Sequence, residues 1–464
     1  MTSLKLVSGK NPRQIALRIL QARRENGEFT ETLLERALAP RASSEGAESA
    51  QNRTILPADR ALCQELVYGV VRALSTLDWL IERKTGGRRQ NAGIQNVLRL
   101  GLYQVFWLDR IPAHAAVHET VELAKQEGFG PKAGFVNAVL RGFLREFDAT
   151  KKMLAELRES NPAVGFSHPQ WLVERWEKRF GVENTRQMLE WNNTPPGVFG
   201  RVNTLKTDAG KLLEKWREEN VDYDFVRRDF LQGHGREGAA HQDVNFDPET
   251  AIFALKSHPS LTSLGSFREG WFYVQDPSTL AAALELAPRP GETILDLCAA
   301  PGGKTTCIAQ LMGNTGKIVA ADVSEERLKL VRENCDRLGV TSVKPIQNSM
   351  LDDQPPDFDK ILIDAPCSNT GVLRRRVDLR WRISEDELLR LQRAQLDLLK
   401  RAAPMLKSEG VLVYSTCSLE PEENSIVVQE FLRENKQFKL DDECELLPFK
   451  DQVDGAFVAR LSKR

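Results

Sequence analysis

Two cysteines in this chain stand in matching surroundings. Cys367 closes the run "KILIDAPC" and Cys417 closes "GVLVYSTC". Each follows a short β-type run, at the edge where a parallel sheet presents its reactive groups. The other cysteines are Cys63, Cys298, Cys307, Cys335 and Cys444, seven in all. An odd number, scattered and without an export signal, argues against a disulfide framework. Cys63, Cys307 and Cys335 fall within helical patterns and read as small buried hydrophobes.

Paired strand-end thiols suit covalent catalysis on a pyrimidine. Cytosine C5 is a poor nucleophile until a thiolate adds to the neighbouring C6 and makes C5 enamine-like. It can then take a methyl group from a sulfonium; a base removes the C5 proton and the thiolate leaves. One cysteine attacks, and a second can assist proton removal or release. Asp364, on the same strand end as Cys367, adds a carboxyl. It could donate to cytosine N3 if burial keeps it protonated, or accept from the exocyclic amine.

The methyl donor needs its own site, and "DLCAAPGGKTT" occupies the first strand-to-helix turn, where such folds bind nucleotide-like ligands. Gly302 and Gly303 permit close backbone approach, and the helix starting there offers free N–H groups. A phosphate-binding loop ending in "GKT" would need glycine where Cys298 stands, and G-x-G-x-x-G spacing is absent. S-adenosylmethionine, which has no pyrophosphate, suits what remains. Asp296 is placed to hold its cationic methionine end, directly or through water. Asp322 closes the second strand in "IVAADV", where a carboxylate binds ribose hydroxyls.

At 464 residues several domains must position these groups. Three-and-four spacing of apolar residues predicts helices from Pro12 to about Phe147, interrupted by an Ala/Ser/Glu-rich loop over 40–57. A small α+β module follows, with strands in "GRVNTLKT" and "SFREGWFYVQDPS", a helix in "AGKLLEKWREEN" and a Gly-rich loop over 231–248. From about Gln275, strands alternate with helices in the manner of a doubly wound, mainly parallel sheet. Domain limits are expected at 1–150, 160–270 and 271–464. No apolar run reaches membrane-span length and no signal peptide is recognisable, so a cytoplasmic protein is expected. His114 and His118 lie one helical turn apart without a third ligand, and no metal site is expected. Net charge is −1, so any nucleic-acid footprint must be local. "ERKTGGRRQ" (82–90) is one basic cluster. Arg374 to Arg382 form another, placed to grip phosphates flanking a target base.

The segments "DLCAAPGGKT", "DAPCSNTGVLRR" and "YSTCSLEPEEN" resemble the RsmB (Sun/Fmu) family of 16S rRNA cytosine-C5 methyltransferases. The likeness spans nearly the whole chain. "IPAHAAVHETVELAK" and "FVNAVLRGFLR" resemble the NusB-type RNA-binding domain that this family carries. The resemblance implies an all-α NusB-like bundle, a small RRM-like α+β module and a C-terminal Rossmann-like, S-adenosylmethionine-dependent methyltransferase domain. It implies Cys417 as nucleophile and Cys367 as the residue that promotes release. It carries cofactor contacts onto Cys298, Ala299, Ala300, Pro301, Gly302, Gly303, Lys304, Asp322 and Asp364. Near the adenine this chain has Asn348 where the family usually has aspartate, and asparagine can still accept from the adenine amine. Val377 replaces a common proline and Ala456 a usual aromatic. The implied partner is 16S rRNA before the small subunit is fully assembled, at the position conventionally numbered 967, with the protein acting as a monomer. A base inside a stem hides C6, so the target must lie in a loop or be flipped out.

Alternatives are the same chemistry on another ribosomal site or on transfer RNA, and a catalytically idle NusB-like adaptor. Retention of both cysteines, Asp364 and the glycine turn weighs against the adaptor. Transfer to an amine would show an N-P-P-Y-like strand end, which "DAPC" is not.

Overall fold

Apolar residues at helical spacing build the first part of the molecule. In the computed structural model, which describes residues 11–39, 55–88, 90–226, 251–351 and 357–464, Pro12–Asn26 opens a series of helices. Asn11 caps it by accepting from the Arg13 N–H at 2.9 Å, Pro12 fills the first position, and Gly27 closes it in the left-handed region. Helices Pro57–Arg72, Leu74–Lys84, Ala92–Trp107, Ala113–Ala124 and Ala133–Arg145 follow. They share a core that includes Cys63, Leu66, Val70, Leu80, Val97 and Leu140. Of the loop expected over 40–57, residues 40–54 lie outside the described residues, and Pro57 already opens a helix; the loop expected over 231–248 and Arg89 of the first basic cluster also lie outside them.

The chain divides into two compact units. The first runs to Thr194, taking in helices Gln170–Phe180 and Val182–Asn193, and also includes Arg376–Arg382. Within it Val377 joins the apolar core and the Trp381 indole N–H donates to the Val71 carbonyl at 2.9 Å. Arg380 is wholly buried, donating to Asn193 Oδ1 at 2.8 Å and to the carbonyls of Asn192 and Ser167 at 2.9 and 3.2 Å. The expected phosphate grip of Arg374 to Arg382 is therefore corrected for Arg380. Its guanidinium saturates buried backbone acceptors, which no sequence pattern distinguishes from a basic surface.

The second unit comprises Pro195–Arg375 and Ile383–Arg464. Its smaller part is a four-stranded antiparallel sheet in the order β2-β3-β1-β4, made of β1 (Val198–Val202), β2 (Asp222–Phe225), β3 (Ile252–Ser257) and β4 (Phe272–Val274). The helix Ala209–Glu218 places Trp216 in this part's core, edge-on to Phe253 and Phe272 at ring-centroid distances of 5.7 and 5.2 Å.

The larger part carries β5 (Thr293–Leu297), β6 (Lys317–Asp322), β7 (Val343–Gln347), β8 (Phe358–Asp364), β9 (Leu406–Thr416), β10 (Phe438–Leu446) and β11 (Ala456–Lys463). The sheet order is β10-β11-β9-β8-β5-β6-β7, with β5 to β9 parallel and the β10–β11 hairpin antiparallel. Ile294, Leu295 and Leu297 on β5 are buried on both faces, each contributing about 1.5–3 kcal/mol. From β5 the chain winds one way to β6 and β7 and the other way to β8 and β9. The carboxyl end of β5 is thus a topological switch point, the place where such sheets bind ligands.

Candidate active site

The turn leaving β5 is shaped by its backbone. Cys298 has φ 69° and Gly302 φ 101°, and Gly302 caps the helix Gly303–Leu311. At that φ a side chain is strained whatever the space, which is why glycine stands there. The Ala299 N–H donates to the Ala321 carbonyl at 3.0 Å, and the Ala300 N–H to Asp322 Oδ2 at 3.1 Å. Pro301 is exposed on the rim of this turn. Burial pushes the Cys298 thiol up to about 12, and the side chain packs, partly buried, against the apolar core of the sheet.

The carboxylates at this edge differ in environment. Asp296 is fully buried; Oδ2 accepts from the Thr305 hydroxyl at 2.5 Å, and Oδ1 has no partner among the described residues. Burial raises its carboxyl to about 7, the Thr305 hydrogen bond opposing. An orphaned buried oxygen fits the cationic methionine end of S-adenosylmethionine. Asp322 is also buried, and besides Ala300 it accepts from its neighbour Val323 N–H at 2.8 Å and pairs with Arg327 at 3.0 Å. It thereby fixes the turn as well as standing where ribose hydroxyls are expected. Asn348 begins the turn after β7; its Oδ1 is likewise buried without a partner among the described residues, while its carbonyl accepts from Arg401 at 2.7 Å. Two acceptors left open along one sheet edge are the fit expected for a cofactor with an amine at either end.

The two thiols meet. β8 and β9 are neighbours with Asp364 opposite Ser415, so the loops after them lie side by side. Cys367 Sγ is 3.3 Å from Cys417 Sγ. The Cys417 thiol donates to Asn369 Oδ1 at 3.0 Å, and Asn369 Nδ2 donates to the Cys367 carbonyl at 2.6 Å. The Cys417 hydrogen bond and burial push the Cys367 thiol well above its ordinary range. Lys304, from the first turn of its helix, pairs with Asp364 at 2.6 Å, and Ser415 Oγ donates to the other Asp364 oxygen at 3.1 Å. Burial alone would lower the Lys304 ammonium, but Asp364 and more distant anions hold it above the usual range.

Lys304, Asp364 and Cys417 line a common cavity of about 190 Å³. Its far wall was not foreseen. Arg375 donates to Asp454 at 2.5 Å and to Asp276 at 2.7 Å, and Arg374 donates to Asp454 at 2.5 Å. These two arginines are thus held by buried carboxylates, a second correction to the expected phosphate grip. Asn369 and the buried Glu423 were also missed. Nothing in the acidic string "LEPEEN" marks one of its glutamates as interior.

Comparison with known proteins gives three family-model matches. Residues 283–462 match "16S rRNA methyltransferase RsmB/F", residues 10–145 the NusB family, and residues 168–227 an RsmF/B-like ferredoxin-like domain. The chain is 35% identical to a probable ribosomal RNA small subunit methyltransferase B of Synechocystis sp., covering 97% of this chain and 99% of that one. It is 36% identical to the ribosomal RNA small subunit methyltransferase B of Escherichia fergusonii, covering 88% and 91%. A methyltransferase homologue of Pyrococcus horikoshii of known structure is 30% identical over 68% of this chain and 99% of its own, with a TM-score of 0.54. The NusB-like bundle, the ferredoxin-like module and the Rossmann-like methyltransferase domain agree with the fold class read from the sequence.

Proposed function

The chain belongs to the RsmB/F family of 16S rRNA methyltransferases, and from that premise we propose that it methylates C5 of a cytosine through a covalent bond between Cys417 and C6. The coarser activity, S-adenosylmethionine-dependent methylation of small-subunit rRNA, is that of the family. The observation that carries the finer reading is the approach of two thiols to 3.3 Å beside the cavity lined by Lys304 and Asp364.

The cofactor, held by Asp296, the glycine turn, Asp322 and Asn348, supplies an electrophilic methyl group. The chain's own groups do the rest. Cys417 as thiolate adds to C6, and the electron pair displaced from C5=C6 makes C5 nucleophilic. Lys304 donates toward N3 as negative charge develops there, a role its ammonium fills without a protonated Asp364. Asp364, held by Lys304 and Ser415, accepts from the exocyclic amine, which uracil lacks. After methyl transfer a base takes the C5 proton, the C–H pair reforms C5=C6, and Cys417 leaves as thiolate. Cys367, kept as a thiol, donates a hydrogen bond to the departing sulfur and speeds release. The target must be extruded from any stem, which favours rRNA not yet locked into the finished subunit.

Covalent trapping tests the reading. Cys367→Ala and Cys417→Ala proteins are incubated with S-adenosylmethionine and unmethylated 16S rRNA and run on a denaturing gel. An RNA-bound band is expected with Cys367→Ala and not with Cys417→Ala. The opposite pattern would exchange the roles, and no band with either, with cofactor bound, would sink the covalent reading.

A further inference from the structure

The mechanism above gives no part to Glu423, a buried carboxylate bonded to the residue after each thiol. Glu423 is wholly buried between the two cysteine loops and, among the described residues, has no ion-pair partner. It accepts from the Ser368 N–H at 2.8 Å, from the Ser368 hydroxyl, from the Ser418 hydroxyl at 2.5 Å and from Gln395 Nε2 at 3.0 Å. Ser368 directly follows Cys367 and Ser418 directly follows Cys417. The two hydroxyls also lie 3.0 Å from each other, and Gln395 reaches on to the Pro366 carbonyl at 3.0 Å. The Tyr414 hydroxyl fixes Glu423 from the backbone side, donating to its carbonyl at 2.6 Å.

A carboxylate is the one side chain that accepts at every position, so four donors can converge on it with none repelled. It therefore ties the residue after each thiol to a single point. Helix Glu385–Ala402, capped by Ser384 with Glu387 in the first turn, holds Gln395 against that point. We propose that Glu423 is the positioning residue that sets the spacing of Cys367 and Cys417, and so the balance between attack on the base and release of the product. The inference rests on the attack and release roles given above.

Glu423→Gln keeps the size of the side chain but turns an NH2 toward donors, so at least one serine tether is lost. Cys367 then drifts from the departing sulfur, and release slows more than attack. In the trapping gel, Glu423→Gln is expected to accumulate about tenfold more RNA-bound protein than the unsubstituted chain, approaching Cys367→Ala on the same gel. Ser368→Ala, which removes only the tether on the release side, should raise the band in the same direction. Ser418→Ala should lower the rate of adduct formation instead. A purely structural role predicts otherwise: lower melting temperature and lower turnover, with the adduct level unchanged. That result in Glu423→Gln, with Cys367→Ala trapping normally, would overturn the positioning role alone. Absence of a band in Cys367→Ala would remove the underlying chemistry and this role with it. Should Glu423→Gln fail to fold, Ser368→Ala decides: an unchanged band refutes the proposal and a stronger band supports it.

Discussion

If Asp296 holds the cationic end of the cofactor as proposed, cofactor binding should depend on pH through this one residue. Its carboxyl is raised by burial to about 7 from an ordinary 3.8, so the folded chain holds a proton that the unfolded chain gives up. The stabilising contribution is present below 3.8 and is lost as pH rises through about 7. Pairing with a cation needs the ionised form. S-adenosylmethionine affinity should therefore increase between about pH 6 and pH 8, by up to about tenfold per unit below the folded pKa. Asp296→Asn should flatten that profile in calorimetric titration, and an unaltered slope would remove Asp296 from the cationic end. Lys304→Met keeps the apolar stem and removes the ammonium; methylation is expected to fall about hundredfold, as single-turnover rates at saturating cofactor would show. At this scale the strand-end positions of Cys367, Cys417 and Asp364 could be read from the sequence, and the structure brings them to one sheet edge. It was silent on Glu423 and Asn369, whose importance lies in partners supplied by distant loops.

Among the elements, the joint between the two cysteine loops and the start of β11 is closely packed. The Gly371 N–H donates to the Cys417 carbonyl at 2.9 Å, and the Gly455 N–H to the Gly371 carbonyl at 2.9 Å. A Cβ on Gly371 would lie 2.6 Å from the Gly455 carbonyl oxygen and 2.8 Å from that of Cys417, both backbone atoms that cannot swing aside. Gly371→Ala is accordingly expected to cost about 1–3 kcal/mol in denaturant melts and to lower turnover more than cofactor affinity. The parallel strands β5, β6, β8 and β9 were legible because buried strands read as apolar runs. β10 was not, since "FKLDDECEL" alternates charge along the edge of the sheet, nor was the turn of helix at Gly265–Arg268 inside an expected strand.

For the whole molecule, the basic stretch ending at Arg382 was the most misleading passage in the sequence. Arg380 has its guanidinium lowered to about 9 by burial and by Arg72, and it touches only protein. Arg380→Met should destabilise the N-terminal unit by about 3 kcal/mol in thermal melts, because four acceptors, two of them in fully buried bonds, lose this donor. The salt dependence of rRNA binding should stay as it is, whereas loss of a phosphate contact would reduce the slope by about 1. A reduced slope would return Arg380 to the RNA-binding surface.

The membership of Arg376–Arg382 in the first unit also bears on how the chain comes into being. A protein emerges from the ribosome amino end first, and leading domains ordinarily fold as they appear. Here the helical unit is complete in sequence only to Thr194 and must wait for Val377, Arg380 and Trp381 to finish its interior. At roughly 5–20 residues per second, the stretch from Thr194 to Arg382 takes about 10–40 s to synthesise. For that interval the nascent bundle lacks the core packing that Val377 and Trp381 supply in the finished unit.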